Sequence, residues 1–171
     1  MSADEGDPHA TPVVTLRPMT ASEYDGWIDG ALQAFAQERS AAVGIPLDVS
    51  VTRARVQLTG LLPEGHATPG MSLLVIVDAD ANDVGHIWLG ADPDRANTLF
   101  VWDISIDAEF RGAGLGRAAM IAAEAVARHA GNDSMSLNVF GPNVAARRLY
   151  ESLGYRAASV QMVKSLEQPR S

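Results

Sequence analysis

The chain has 171 residues, 47% hydrophobic and 20% charged, a size and composition that fit one compact domain and exclude a disordered or collagen-like chain. Its longest apolar runs, such as Leu73 to Val77, fall far short of the roughly 20 residues that cross a bilayer. With no cysteine, disulfides, thiolate metal sites and a cysteinyl acyl-enzyme are ruled out. The net charge of −8 argues against nucleic acid or an anionic membrane as the main partner.

The charge is unevenly spread, with 5 basic and 17 acidic side chains in residues 1–110 against 8 and 4 in residues 111–171. An anionic ligand near the C-terminal half and a cationic one near the N-terminal half would suit that asymmetry, although a solubility pattern accounts for it equally well. Residues 1–11 are acidic and lack the positive start and apolar stretch of a secretory signal. They are expected to form a disordered tail, with a single domain over 12–166, a C-terminal tail over 167–171 and a cytoplasmic location.

No internal repeat is evident, and the elements follow in chain order. Val13-Val14-Thr15-Leu16, closed by Arg17-Pro18, reads as a first strand. Thr20 and Glu23 form a capping-box pattern ahead of Tyr24, Trp27, Ile28, Ala31, Leu32 and Phe35, which predicts an amphipathic helix to about Glu38. A second helix carries Val51, Ala54, Val56, Leu58 and Leu61 and ends at Leu62-Pro63-Glu64-Gly65. Leu73–Val77, Val84–Leu89 and Thr98–Ile106, joined by short turns, predict an antiparallel meander. A long helix from about Gly114 to Ala130, a strand from Met135 to Phe140, a short helix from Pro142 to Ser152 and a last strand from Tyr155 to about Leu166 complete an α+β, or mixed α/β, fold.

The segment from Ile104 to Arg117, ISIDAEFRGAGLGR, joins a strand through a glycine-rich loop to a helix start. That arrangement offers backbone N–H groups and the positive helix end to a phosphate. Arg111 and Arg117 add charge on either side, consistent with a diphosphate. The spacing of Gly112, Gly114 and Gly116 does not fit the dinucleotide fingerprint, and the lysine of a P-loop is missing. On these residues alone, a glycine turn serving close packing is as good a reading.

Arg111-x-x-Gly114-x-Gly116 after a strand resembles the acetyl-CoA-binding motif of the GNAT superfamily of N-acetyltransferases. Leu137 to Tyr155, LNVFGPNVAARRLYESLGY, resembles that superfamily's later motif, a strand and a helix with Asn near its start and a Leu-Tyr-Glu-x-x-Gly-aromatic ending. The resemblance covers roughly residues 12–166. It implies a mostly antiparallel twisted sheet flanked by helices on both faces, acetyl-CoA as cosubstrate, and direct transfer of acetyl to a primary amine in a ternary complex. Cofactor contacts are implied for Ile104, Ser105, Ile106, Arg111, Gly112, Ala113, Gly114, Leu115, Gly116, Arg117, Asn138, Asn143 and Tyr150, with a strand N–H holding the oxyanion. Tyr150 is implied as the proton donor to the departing sulfur. Asn143 reads both as a helix cap and as a contact to the pantetheine arm.

Acetyl transfer needs a neutral amine, and a lysine-like amine is protonated at pH 7. The candidate base is Asp103, a carboxylate in the otherwise apolar strand Phe100–Ile106. Strict alternation places it with Val101 and Ser105, opposite Trp102 and Ile104. Many members of the superfamily carry their acid where this chain has Trp102, so Asp103 also reads as a binder of the substrate cation; a β-bulge would turn it inward. Asn138 stands where some acetylases of protein N-termini have Glu, which lowers the prospect of that activity. His86 is a further candidate base or a structural residue, and the four histidines show no metal-ligand spacing.

The acceptor is expected to be a small-molecule or peptide amine, walled by the early helices and the Pro63–Gly70 loop, with Trp27, Trp88 and Trp102 as an apolar or cation-binding surface or as core. Neither nucleic acid nor membrane is expected as a partner, and a homodimer follows only by analogy. A catalytically silent acyl-CoA-binding module is the alternative function. A nucleotide-binding reductase is disfavoured by the glycine spacing.

Overall fold

The computed structural model describes residues 12–164 and Leu166, so the expected tails lie outside the described residues. Five strands, β1 (Thr15–Pro18), β2 (Met71–Val77), β3 (Asp83–Ala91), β4 (Thr98–Ile106) and β5 (Ser134–Leu137), form one sheet in chain order. The first four pair antiparallel and β5 lies parallel to β4. Turns of a few residues suffice for β2–β3–β4, whereas the parallel β5 needs a crossover, which helix α3 (Leu115–His129) supplies.

Helices α1 (Ala21–Val43) and α2 (Leu47–Leu61) cover one face of the sheet. There Leu73, Val75 and Trp88 of the strands meet Trp27, Ile28, Leu58 and Leu61. Helix α3 covers the other face, where Ile76, Val84, Ile87, Leu89 and Val101 meet Leu115, Ala119, Met120 and Ala123. Each such aliphatic side chain contributes about 1.5–3 kcal/mol by leaving water. Helix α4 (Val144–Ser152) follows β5 and inserts Tyr150 at the edge of this second core.

Thr20 caps α1 as the sequence predicts: the Glu23 N–H donates to Thr20 Oγ1, and the Thr20 N–H donates to the Glu23 carboxylate. The helix runs past Glu38 to Val43, where Gly44 closes it in a left-handed conformation. Helix α2 begins at Leu47, just after Pro46. The last predicted strand is a correction, since residues 155–164 adopt no regular structure. Val160 and Met162 do alternate with polar residues, but they and Val163 stand exposed with no described strand beside them, and periodicity without a partner yields no sheet.

Two features of β4 position the site. Its pairing with β5 stops at Val101–Leu137, and the chain leaves β5 at Asn138 rather than at Phe140 as predicted. The outer edge of β4 from Trp102 to Ile106 therefore carries no neighbouring strand among the described residues. The second feature is a bulge: Val101 pairs with Leu89 and Asp103 with Trp88, so Trp102 is an extra residue. Strict alternation fails here. Val101 faces α3, while Trp102 and Asp103 both turn toward α1 and α2.

Candidate active site

The glycine loop begins where β4 ends. The Asp107 N–H donates to the Val84 carbonyl, a 3-10 turn spans Ala108–Phe110, and Gly112 and Gly114 take φ of +83° and +79°. Only glycine enters that region without steric cost, and these two residues swing the chain into α3. Among the described residues no side chain caps α3, which leaves its first-turn N–H groups without a partner there. Uncapped amides at a positive helix end are a cradle for phosphate oxygens.

The two arginines are placed differently. Arg111 Nε donates to the Ile106 carbonyl at 2.7 Å and braces the loop, while Arg117 bonds the Ser152 hydroxyl and ties α3 to α4. Leu115, only 7% exposed, directs its side chain into the core, so its backbone is what faces a ligand; Ile104 and Ile106 pack on the same core. Gly116 sits against Leu149, where an added β-carbon would lie 3.5 Å from Cδ2. A cavity of about 350 Å³ beside the loop is bordered by Pro12, Asp78, Asp80, Glu109, Arg111 and Ala113. Three carboxylates there oppose a diphosphate, which leaves the helix end as the favourable place for it.

Tyr150 of α4 packs at the edge of the α3-side core. It is 9% exposed, and among the described residues no group bonds its hydroxyl. Burial raises its pKa, and the charges of Asp103 and Glu38 add to the rise, so the phenol stays protonated and able to donate. Asn143 caps α4 through an Ala146 N–H bond at 3.1 Å, while Asn138 is exposed just beyond β5. Ser105 pairs with His86 on the α1/α2 side of β4.

Beneath α1 and α2 lies a small cleft of about 50 Å³ lined by Trp27, Phe35, Leu58, Trp88, Trp102 and Asp103. Trp88 and Trp102 stack with centroids 5.5 Å apart, and Trp27 meets Trp88 edge-on at 6.2 Å. Trp88 is core, at 4% exposed, while Trp27 and Trp102 are half-buried and wall the cleft. Gly90 makes the stack possible: a β-carbon there would lie 2.8 Å from Trp102 Nε1 and 2.5 Å from Met71 Sδ. The Pro63–Gly70 loop packs instead against Tyr24, with Gly65 beside its ring. Asp103 is held by His86, whose Nε2–H donates to Oδ2 at 2.9 Å.

Glu38 was invisible to the sequence reading, which ended α1 there. It follows Ala31 and Phe35 at helical spacing, and both of those line the cleft beside Asp103. The Phe35 ring lies 5.8 Å from that of Phe140, so this face of α1 reaches across to the loop after β5. The helical spacing marks Phe35 only as a core-facing position, and its bridging role depends on that contact.

Among the described residues no group of His, Asp or Glu side chains is arranged to hold a metal, and no helix is long and apolar enough to cross a membrane. Residues 49–155 match the acetyltransferase (GNAT) family. An uncharacterized N-acetyltransferase of Bacillus subtilis, YycN, is 31% identical over 155 residues, covering 90% of this chain and 99% of that protein. Its crystal structure superposes with a TM-score of 0.86, covering 91% of this chain and all of that one. A mycothiol acetyltransferase of Beutenbergia cavernae is 37% identical over 82% of this chain and 44% of its own length. The PaiA N-acetyltransferase of Thermoplasma acidophilum, solved in complex with coenzyme A, shares the fold at a TM-score of 0.64 and 15% identity, covering 86% of this chain and 92% of that one. The uncapped helix end, the unpaired strand edge and the matches over most of the domain agree: the chain belongs to the GNAT acetyltransferase family, for which acetyl-CoA is the cosubstrate.

Proposed function

We propose that the protein is an N-acetyltransferase that moves the acetyl group of acetyl-CoA onto a primary amine by direct attack in a ternary complex. The observation that carries this reading is that β4 joins two half-sites, its end running into the backbone cradle at the start of α3 and its bulge supplying Trp102 and Asp103 to the carboxylate-and-indole cleft. The uncapped amides at Gly112–Arg117, with Ala113 in the loop and the two arginines flanking it, take the diphosphate. The free edge at Ile104, Ser105 and Ile106 bonds the pantetheine arm, with Asn138 and Asn143 at its far side, and a β4 N–H stabilises the oxyanion. Tyr150 gives its proton to the departing sulfur.

Asp103, fixed by His86, draws the cationic acceptor into the cleft, where indole faces favour an ammonium group. A relative named for acetylating mycothiol favours a small-molecule acceptor over a peptide. Calorimetric titration with acetyl-CoA, with NADPH and ATP as controls, tests the donor side, and release of coenzyme A with a panel of amines tests the transfer. Saturable binding at one site per chain with amine-dependent release is the expected result. Binding with no release for any amine would replace this reading with an acyl-CoA-binding module, and no binding would remove both.

A further inference from the structure

Building on the acetyltransferase reading, we infer that Glu38 of α1 is the group that takes the proton from the attacking amine. It stands on the cleft-facing side of α1, one turn beyond Phe35, and Phe35 lines the cleft together with Asp103 and touches Phe140 across the mouth. Tyr150 is 9% exposed, its hydroxyl has no protein partner among the described residues, and it lies within the field of both carboxylates. The three side chains come from α1, β4 and α4, and Asp103 stands just beyond the point where β4 and β5 part.

The two carboxylates are not equivalent. Asp103 already accepts the His86 hydrogen bond, whereas no described group bonds or pairs with Glu38. Although Glu38 is open to solvent at the rim, partial desolvation raises its pKa above the ordinary carboxylate value, and the charge of Asp103 adds to the rise. A carboxylate shifted toward the working pH is a better proton acceptor at that pH. The titratable groups whose fields meet at Glu38 and Tyr150 are Asp103 on β4, with His86 of β3 bonded to it, and the neutral phenol of Tyr150 on α4; α2 presents only Gln57, Leu58 and Leu61 to the cleft.

The proton balance closes. Glu38 takes one proton from the ammonium ion and releases it to solvent. The freed amine forms the new C–N bond to the acetyl carbon as the C–S bond breaks, and Tyr150 protonates the sulfur. The second N–H proton, shed by the nitrogen on collapse, is relayed through Glu38 back to Tyr150.

The test is the pH dependence of coenzyme A release with 1,4-diaminobutane and tyramine as probes, comparing wild type with Glu38→Gln and Glu38→Asp. For Glu38→Gln the expected results are a fall in kcat of about 100-fold, loss of the acid limb of kcat/KM, and unchanged acetyl-CoA affinity and melting temperature. Glu38→Asp should restore part of the rate. The alkaline rise set by the amine's own ionisation should be common to all three proteins. A Glu38→Gln enzyme with wild-type kcat and an intact acid limb overturns the assignment and leaves the acetyltransferase reading standing. A wild type that binds acetyl-CoA yet acetylates neither probe counts against the amine-transfer reading itself and the assignment with it.

Discussion

The donor and acceptor halves of the site are made of different material. The donor half is backbone: uncapped amides at the start of α3 and the free edge of β4, opened by two left-handed glycines and by the early end of β5. The proposed acceptor half is side chain, with Trp27 and Phe35 from α1, His86 from β3, Trp102 and Asp103 from β4, and Glu38 of α1 as the base inferred above. A backbone cradle recognises a phosphate whatever side chains surround it, so it serves one invariant cosubstrate. A side-chain cleft changes with each substitution, and specificity belongs there.

If that division is right, variants should damage one half and spare the other. The largest effect is expected for Tyr150→Phe, at the seam: kcat should fall about 100-fold. Acetyl-CoA affinity and melting temperature should hold, because the hydroxyl bonds nothing in the described protein. Gly114→Asp places a carboxylate and a β-carbon where φ is +79° and the Pro12 ring is 3.2 Å away. Titration should show acetyl-CoA binding weakened by about tenfold or more, roughly 1.4 kcal/mol, and equal affinity for both proteins would break the comparison from the donor side.

Gly90→Ala probes the other half. Its β-carbon would press on Trp102 and Met71, and overpacking of this kind costs about 1–3 kcal/mol. The flexible Met71 can yield, but the stacked indole must shift, so KM for the amine should rise several-fold while acetyl-CoA affinity stays constant. The smallest effect lies away from both halves. Hydrogen bonds from Arg17 and Thr20 lower the Glu23 pKa from 4.5 to about 2 in the folded protein. A depressed carboxylate contributes stability that is full above 4.5 and fades as the pH falls toward 2. Glu23→Ala should therefore lower the melting temperature slightly at neutral pH and flatten its decline over that acid range.

The same division explains what the sequence disclosed. A backbone cradle is written locally: glycines at fixed offsets between a strand and a helix place Gly112 to Arg117 before any coordinates are known. The capping box at Thr20 and the β2–β3–β4 meander are local in the same way. The role proposed for Glu38 carries no such mark, because it depends on the charge of Asp103 on β4, far along the chain. The final strand misled for a related reason: its alternation is local, whereas the neighbour a strand requires is not. Asp103 fell between these cases, since composition singled it out but alternation set it beside Val101, and a bulge, a property of two strands in register, decided otherwise.

That bulge makes the chemistry depend on a count. Trp102 is the one residue by which β4 exceeds its partner at this point, and it brings Trp102 and Asp103 to the same face. Straightened into a regular ladder at the same length, β4 would carry the carboxylate to the side occupied by Leu89 and Val101, beneath α3. A buried charge without a partner would then stand where the core is densest. Substitutions can retune this cleft by degrees, but loss of the bulge would remove it at a stroke, so relatives that keep the cleft should vary in the identity of its residues and keep one extra residue between the partners of Leu89 and Trp88.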